Sequence, residues 1–440
     1  MKTHLRKLWD SLKSSYWFVP LVMMGMAVIL WLGTSTLDSV LSTKDKRDIA
    51  WLYISDTDSV RTLLLTIAGA IIGIIGVVFS IIMVPLSIAA SQFGPRLLRT
   101  FLRDTGTQVT LGTFTATFIF CMAVLLRLSD KNSQQLPQIS VNAALLLGVS
   151  SFGILLYFIN HVAVSIQAPV VVARVSKELH KAILHELPDH PDADSAAPFA
   201  DESIKILTES ASGNCVIMAA KSGYVQVCDD ARLLHIARHY NLVLQLLSQP
   251  GDFIAKGTPL ATAWPQTDPK VNEGVNTAFI LGLQRTLVQD VAFGINELVE
   301  VAIRALSPAI NDPFTAMTCL DWLGSALCQM CNRTFPKQKL FDHEGHLRLI
   351  RSPVTFTSLT DAAFNQIREY GSTSAAVTLR LMQTIKVVAQ CSVTTEQHKA
   401  LLHHATLVER GCHTGLPEAN DQKAIIQCFE TIKDLLGVSK

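Results

Sequence analysis

The chain has 440 residues and a formal net charge of +1, a balance that excludes the strongly basic footprint of a nucleic-acid binder. Hydrophobic residues make up 49% and charged residues 17%, and the two classes are unevenly distributed. Residues 14–37, 62–95, 105–126 and 132–173 contain no Asp, Glu, Lys or Arg, and each run meets the roughly 20 residues a helix needs to cross a bilayer. The nine cysteines form no disulfide framework, and their scatter suits a reducing compartment.

The first segment, 1–16, carries Lys2, Arg6, Lys7 and Lys13 and reads as a cytosolic N-terminal segment. Span one follows at Trp17–Leu37. It is longer than a signal-peptide core and three more spans succeed it, so it is expected to be retained. Trp17, Phe18 and Trp31 stand where an aromatic belt would. The polar loop 38–61 begins at Asp38.

The second uncharged run, of 34 residues, would make a helix of about 51 Å at ~1.5 Å per residue, against a hydrocarbon core of about 30 Å. Pro85 predicts a bend near residues 81–85. Gly69, Gly73, Gly76, Ser80, Ser87 and Ser91 recur at spacings that place them on one stripe. Such a stripe serves close helix packing, or it lines a pore built from several copies of the helix. Gly94-Pro95 predicts the helix end. Beyond it, Leu97, Leu98, Phe101 and Leu102 share a face that excludes Arg96, Arg99 and Arg103, the pattern of a short interfacial helix whose arginines reach lipid phosphates.

Span three is expected at Val109–Leu126 and span four at Ile139–Ala168, with Asn160 and His161 near its inner end as interfacial hydrogen-bonding groups. No charge sits at the centre of any span, which argues against a proton-coupled transporter or a voltage sensor. Ten basic residues flank the spans on the side of the N-terminus and six on the other. The positive-inside rule therefore predicts both the N-terminus and the region after span four in the cytoplasm.

The remainder predicts a cytosolic α+β region, so the fold class is a four-span membrane α-helical bundle followed by that region. Its expected boundaries are a transmembrane domain at 17–168, a helical connector and linker at 169–211, a β-rich module at 212–268 and a mainly helical domain at 269–440. Val225, Val227 and Leu242–Leu246 read as strands. Gly251-Asp252-Phe253-Ile254-Ala255-Lys256-Gly257 is similar to the tight strand connection of biotinyl/lipoyl-like barrel-sandwich modules. The carrier lysine motif is absent, so no cofactor is expected. Phe279, Leu283, Leu287, Phe293, Leu298 and Ile303 recur near helical spacing. Pro308 should break that helix, and Asp312-Pro313 should start the next.

Three separated motifs are Phe79-Ser80-Ile81, Gln92-Phe93-Gly94-Pro95-Arg96-Leu97-Leu98 and Arg304-Ala305-Leu306-Ser307-Pro308-Ala309-Ile310-Asn311-Asp312-Pro313. With them the chain resembles a bacterial family of predicted integral membrane proteins with a domain of unknown function. The resemblance runs over nearly the whole length and implies a multi-pass protein of the bacterial inner membrane. It brings no activity, ligand or catalytic residue with it.

No catalytic motif is present, and no enzymatic activity is expected. Cys328-Gln329-Met330-Cys331 lacks the second ligand pair of a zinc site, and His343-Glu344-Gly345-His346 has the wrong spacing for a helical metalloprotease motif. The remaining constellation is polar: Arg285, Asp290, Glu300, Arg304, Asn311 and Asp312. It would bind a polar ligand or ion, or else serve as helix caps and salt bridges. The expected function is a homo-oligomeric membrane pore with span two near its axis and the cytosolic domain as vestibule or gate. The alternative is a non-conducting sensor or scaffold whose cytosolic domain binds a small ligand or a protein. Expected partners are membrane lipids and further copies of the chain.

Overall fold

A computed structural model describes residues 17–40, 56–92, 104–128, 136–189, 214–265 and 269–437. The chain divides into two compact units, Met1–Val170 and Val171–Lys440.

The first unit contains α1 (Phe18–Val40), α2 (Thr57–Gln92), α3 (Thr105–Leu128) and α4 (Gln138–Ser165). All four are long and apolar enough to span a membrane. α3 packs against each of the other three and is the most buried. It has few bulky residues where α1 crosses it: Gly112 lies against Pro20 and Met23, leaving no room for a Cβ. Five of its polar residues, Thr107, Gln108, Thr110, Thr113 and Thr117, are buried. The hydroxyls of Thr110, Thr113 and Thr117 return to the carbonyl one turn back, and Thr117 also meets Ser151 of α4 at 3.1 Å. This is the polar, small-residue packing that helices use where lipid supplies no hydrophobic drive.

Asp38 belongs to α1 rather than to the loop that the sequence predicts there. Its carboxylate is buried and accepts from the Ile139 and Ser140 N–H groups, both at 3.0 Å, and from the Ser140 hydroxyl at 2.7 Å. It thus caps the N-terminus of α4 from a neighbouring helix, satisfying donors that lack intrahelical partners. Arg127, at the end of α3, donates to the Ser35 carbonyl at 2.7 Å.

The second unit begins within α5 (Ala168–Glu186). Its β-rich part holds β1 (Cys215–Met218), β2 (Gly223–Cys228), α6 (Asp230–His239), β3 (Val243–Leu246), β4 (Phe253–Ile254), β5 (Pro259–Trp264), α7 (Pro269–Ala278) and β6 (Phe279–Gly282). Its helical part holds α8 (Val291–Ala305), α9 (Pro313–Cys331), α10 (Phe356–Gly371), α11 (Ala375–Cys391), α12 (Thr395–Gly415) and α13 (Ala419–Leu435), with β7 (Lys339–Phe341) and β8 (Leu347–Ile350) inserted between α9 and α10. A five-stranded sheet has the order β1-β5-β3-β8-β7 and a three-stranded sheet the order β4-β2-β6. Both enclose one core, with Ile217, Leu244 and Leu260 from the first sheet, Val225 and Ile254 from the second, and Leu233 and Val275 from the helices.

Phe279–Gly282 is a strand, although its apolar residues continue a helical rhythm. Leu281 pairs with Val225 and Phe279 with Cys228, and completion of the β2 edge overrides the local pattern. β8 likewise enters from far along the chain, pairing in parallel with β3 at Leu244↔Leu349.

Candidate functional site

Two features bear on function, one in each unit. The first is the outer face of α2. At ~100° per residue, Thr62, Thr66, Gly69, Gly73, Gly76, Ser80 and Ser87 fall within about 80° of arc. All seven are exposed on this chain, and an added Cβ at Gly69, Gly73 or Gly76 would meet no atom of the described residues within 4 Å. Val60, Leu64, Ile71 and Val78 lie on the opposite side and are fully or almost fully buried. α2 therefore packs on its own bundle by a bulky apolar face and turns its small residues away from it. Thr62 and Thr66 extend the stripe by two further turns. Sequence reading passed over them, although their spacing of four from each other and of three to Gly69 carries the signal. Their hydroxyls donate to the Asp58 and Thr62 carbonyls at 2.8 and 2.7 Å. The side chains of Pro85 and Ser91, and residues Arg96, Arg99 and Arg103, lie outside the described residues.

At the end of α4 nearest the second unit in sequence, His161 Nε2 stands 2.7 Å from Asp104 Oδ2 and its ring stacks on Tyr157 at 5.6 Å. Asp104 caps α3 by accepting from the Thr107 N–H at 2.9 Å. Asn160 is exposed. The Asp104 partner went unread because it is distant in sequence and only packing of α3 on α4 makes the pair.

The second feature is a cleft of about 560 Å³ in the second unit, with Gln249, Gly251, Asp252, Arg285, Asp290 and Arg351 among its lining residues. Arg285 grips Asp290 with two parallel bonds, Nε to Oδ2 at 2.8 Å and Nη2 to Oδ1 at 2.9 Å. Asp290 is only 5% exposed and also caps α8, accepting from the Phe293 N–H at 3.0 Å. The guanidinium lies over the Phe293 ring, 5.4 Å from its centroid. Gly251 holds φ +98° in the turn that closes over this pair. A Cβ there would stand 2.5 Å from Asp290 Oδ2, so the close approach requires glycine. On another wall Arg351 pairs with Asp230 and donates to the Lys337 carbonyl at 3.0 Å.

The other polar candidates do not share this cleft. Glu300 and Arg304 pair at 3.6 Å across one turn of α8. Asn311 takes the left-handed conformation with φ 51° at the turn after α8. Asp312 caps α9, accepting from the Thr315 N–H at 3.1 Å and from its hydroxyl, while its own N–H donates to Ala305 O at 2.7 Å. The length of α8, about 22 Å at ~1.5 Å per residue, separates the two capping aspartates. In the β7–β8 turn Asp342, Glu344 and His346 bring three donor atoms within 4.8 Å of one another. Asp342 is already held there. Burial would raise its pKa, but the Arg348 guanidinium and the His346 and Glu344 N–H groups outweigh that and set it at about 2.

The chain is 28% identical over 426 residues to the uncharacterized proteins Rv1290c of Mycobacterium tuberculosis and Mb1321c of Mycobacterium bovis, covering 95% of this chain and 80% of each relative. No solved structure matches it. The family model for predicted membrane proteins, DUF2254, matches residues 13–387, and with its four apolar helices the chain belongs to that membrane-protein family.

Proposed function

We propose that the protein is a homo-oligomeric pore of the bacterial inner membrane, in which several copies of α2 turn their small-residue stripes toward a common axis. One observation carries this reading: Thr62, Thr66, Gly69, Gly73, Gly76, Ser80 and Ser87 line one exposed face of α2, opposite the face that packs. A helix that only met lipid would gain nothing from so many glycines, each of which costs helix stability. Among the described residues, Leu64, Phe120, Cys121, Val124 and Ala144 pack the interior of a single bundle with apolar side chains, which favours a path outside it. Conduction then runs between copies.

The excess of flanking basic residues on the N-terminal side supports a cytoplasmic N-terminus and a cytoplasmic second unit, acting as vestibule or gate. Arg96, Arg99 and Arg103 would anchor the intervening segment to lipid phosphates. The two small sheets around one core support a barrel-sandwich-like module that couples rather than carries a cofactor. No catalytic step is part of this reading.

The test is purified protein in planar bilayers together with its mass in lipid nanodiscs. Discrete conductance and a multimeric mass are expected. A single-copy mass with silent bilayers would sink the pore. A second reading, a sensor without conduction, is favoured by the cleft with its Arg285–Asp290 pair. It predicts a ligand-dependent rise in melting temperature, from a panel of polar metabolites, that Arg285→Ala abolishes.

A further inference from the structure

The Cys328-x-x-Cys331 motif finds a third thiol in the fold. α9 packs along α11, and Cys328 Sγ stands 3.8 Å from the Val387 carbonyl. That carbonyl lies one helical turn before Cys391, and within α11 it is the group toward which the Cys391 N–H points. Cys328 Sγ is therefore within roughly 7 Å of the Cys391 backbone, given a helical bond of about 3 Å. The Cys328 thiol faces the turn of α11 that carries Cys391. Both residues are partly exposed, whereas Cys331 is buried.

Cys331 has a different task. Its Sγ lies 4.0 Å from the Val388 carbonyl. The Ser392 N–H, which would serve that carbonyl if α11 continued, turns instead to Ala389 O at 3.3 Å. The Cys331 thiol thus covers an orphan carbonyl at the end of α11.

We infer that Cys328 and Cys391 form a disulfide site, oxidised by a hydroperoxide, that staples the last turn of α11 to α9. Nucleophilic attack needs a thiolate. The Cys328 thiol is engaged in donating to the Val387 carbonyl, so Cys391 supplies the sulfur that attacks the peroxide. The O–O bond breaks, one oxygen stays on Cys391 as a sulfenic acid, and the other leaves as hydroxide and becomes water on protonation. The Cys328 thiol then passes its proton to the sulfenic hydroxyl, and the thiolate so formed attacks the Cys391 sulfur. The S–S bond forms, the S–O bond breaks, and the Cys328 thiol proton departs with the hydroxyl as a second water. Two thiols are oxidised and one peroxide is reduced to two waters.

Full-length protein in detergent is treated with hydrogen peroxide, alkylated and mapped by peptide mass spectrometry. The expected map joins Cys328 to Cys391 with Cys331 alkylated, and the count of alkylatable thiols falls by two. In Cys328→Ser the Cys391 sulfenic acid should persist and be trapped by dimedone; in Cys391→Ser no adduct should form at Cys328. A Cys328–Cys331 link, full alkylation of Cys328 and Cys391 after peroxide, or a dimedone adduct at Cys328 in Cys391→Ser overturns the assignment. The wild-type map decides even if a variant fails to fold.

Discussion

Asp290 and Glu300 both pair with an arginine, yet their environments separate their energetic weight. Asp290 is almost wholly buried, doubly bonded to Arg285 and bonded to the Phe293 N–H. Removing it strands a guanidinium that is three-quarters covered and uncaps α8. Asp290→Ala should cost about 3 kcal/mol, the low end for breaking a buried pair. Glu300→Ala, in a half-buried i,i+4 pair with a long 3.6 Å separation and no helix to cap, should cost less, about 1 kcal/mol. Chemical denaturation of the two variants, read by a probe in the second unit, checks the contrast; equal losses would refute it. Gly251→Ala belongs with Asp290→Ala, since it meets both positive φ and the carboxylate itself. A loss of about 1–3 kcal/mol is expected from backbone strain alone.

His404 supplies a pH dependence at the same scale. It is 1% exposed and packs edge-on against Phe364, with ring centroids 5.5 Å apart. Its Nε2 is 2.9 Å from Asp361 Oδ1, but neither ring nitrogen is aligned for a hydrogen bond. Burial lowers its pKa from the ordinary 6.5 more than Asp361 raises it. The folded state thus prefers the neutral ring and the unfolded state binds the extra proton. Stability from this group is complete above about 6.5 and declines as pH falls through the lower folded value. Melting temperatures followed from pH 8 to pH 5 should fall more steeply for the wild type than for His404→Leu. Parallel curves would remove His404 as the cause.

Two glycines on neighbouring helices have opposite meanings at the scale of elements. Gly112 of α3 lies against Pro20 and Met23 of α1, where an added Cβ would crowd both. Gly112→Val should force the helices apart at a cost of about 1–3 kcal/mol, the range for overpacking, and lower the yield of folded protein from detergent. A Cβ added at Gly73 of α2 would meet no atom of the described residues within 4 Å. Gly73→Val should leave the melting temperature of the isolated chain unchanged while altering its mass in nanodiscs and, on the pore reading, its conductance. If Gly73→Val instead unfolds the bundle, the outward assignment of that face is wrong. The elements also show where local pattern yields to pairing. Phe279–Gly282 has apolar residues at helical intervals, but β2 offers an unpaired edge, and the Val225–Leu281 register claims the segment as a strand. Asp312-Pro313, by contrast, starts α9 as its sequence says, because a cap and a proline in the first turn act through local geometry alone.

For the whole molecule, the division into an apolar unit and a charged one is the governing fact. The excess of basic residues flanking the spans on the N-terminal side predicts that fusions of a cytoplasm-active fluorescent reporter to the C-terminus will fluoresce and that periplasm-active phosphatase fusions there will be silent. The reverse pattern would invert the topology. Four spans, their approximate limits and the α+β character of the C-terminal region were legible in the amino-acid order, because hydrophobic length and the spacing of small residues are properties of consecutive residues. The pairing of His161 with Asp104, the capping of α4 by Asp38 and the approach of Cys328 to the turn that carries Cys391 were not legible. Each joins residues 57, 101 or 63 positions apart, and only the packing of one helix on another brings them together. The same holds for the α2 stripe. Its residues could be listed from the sequence, but whether they faced inward or outward depended on which side of the helix α3 and α4 covered.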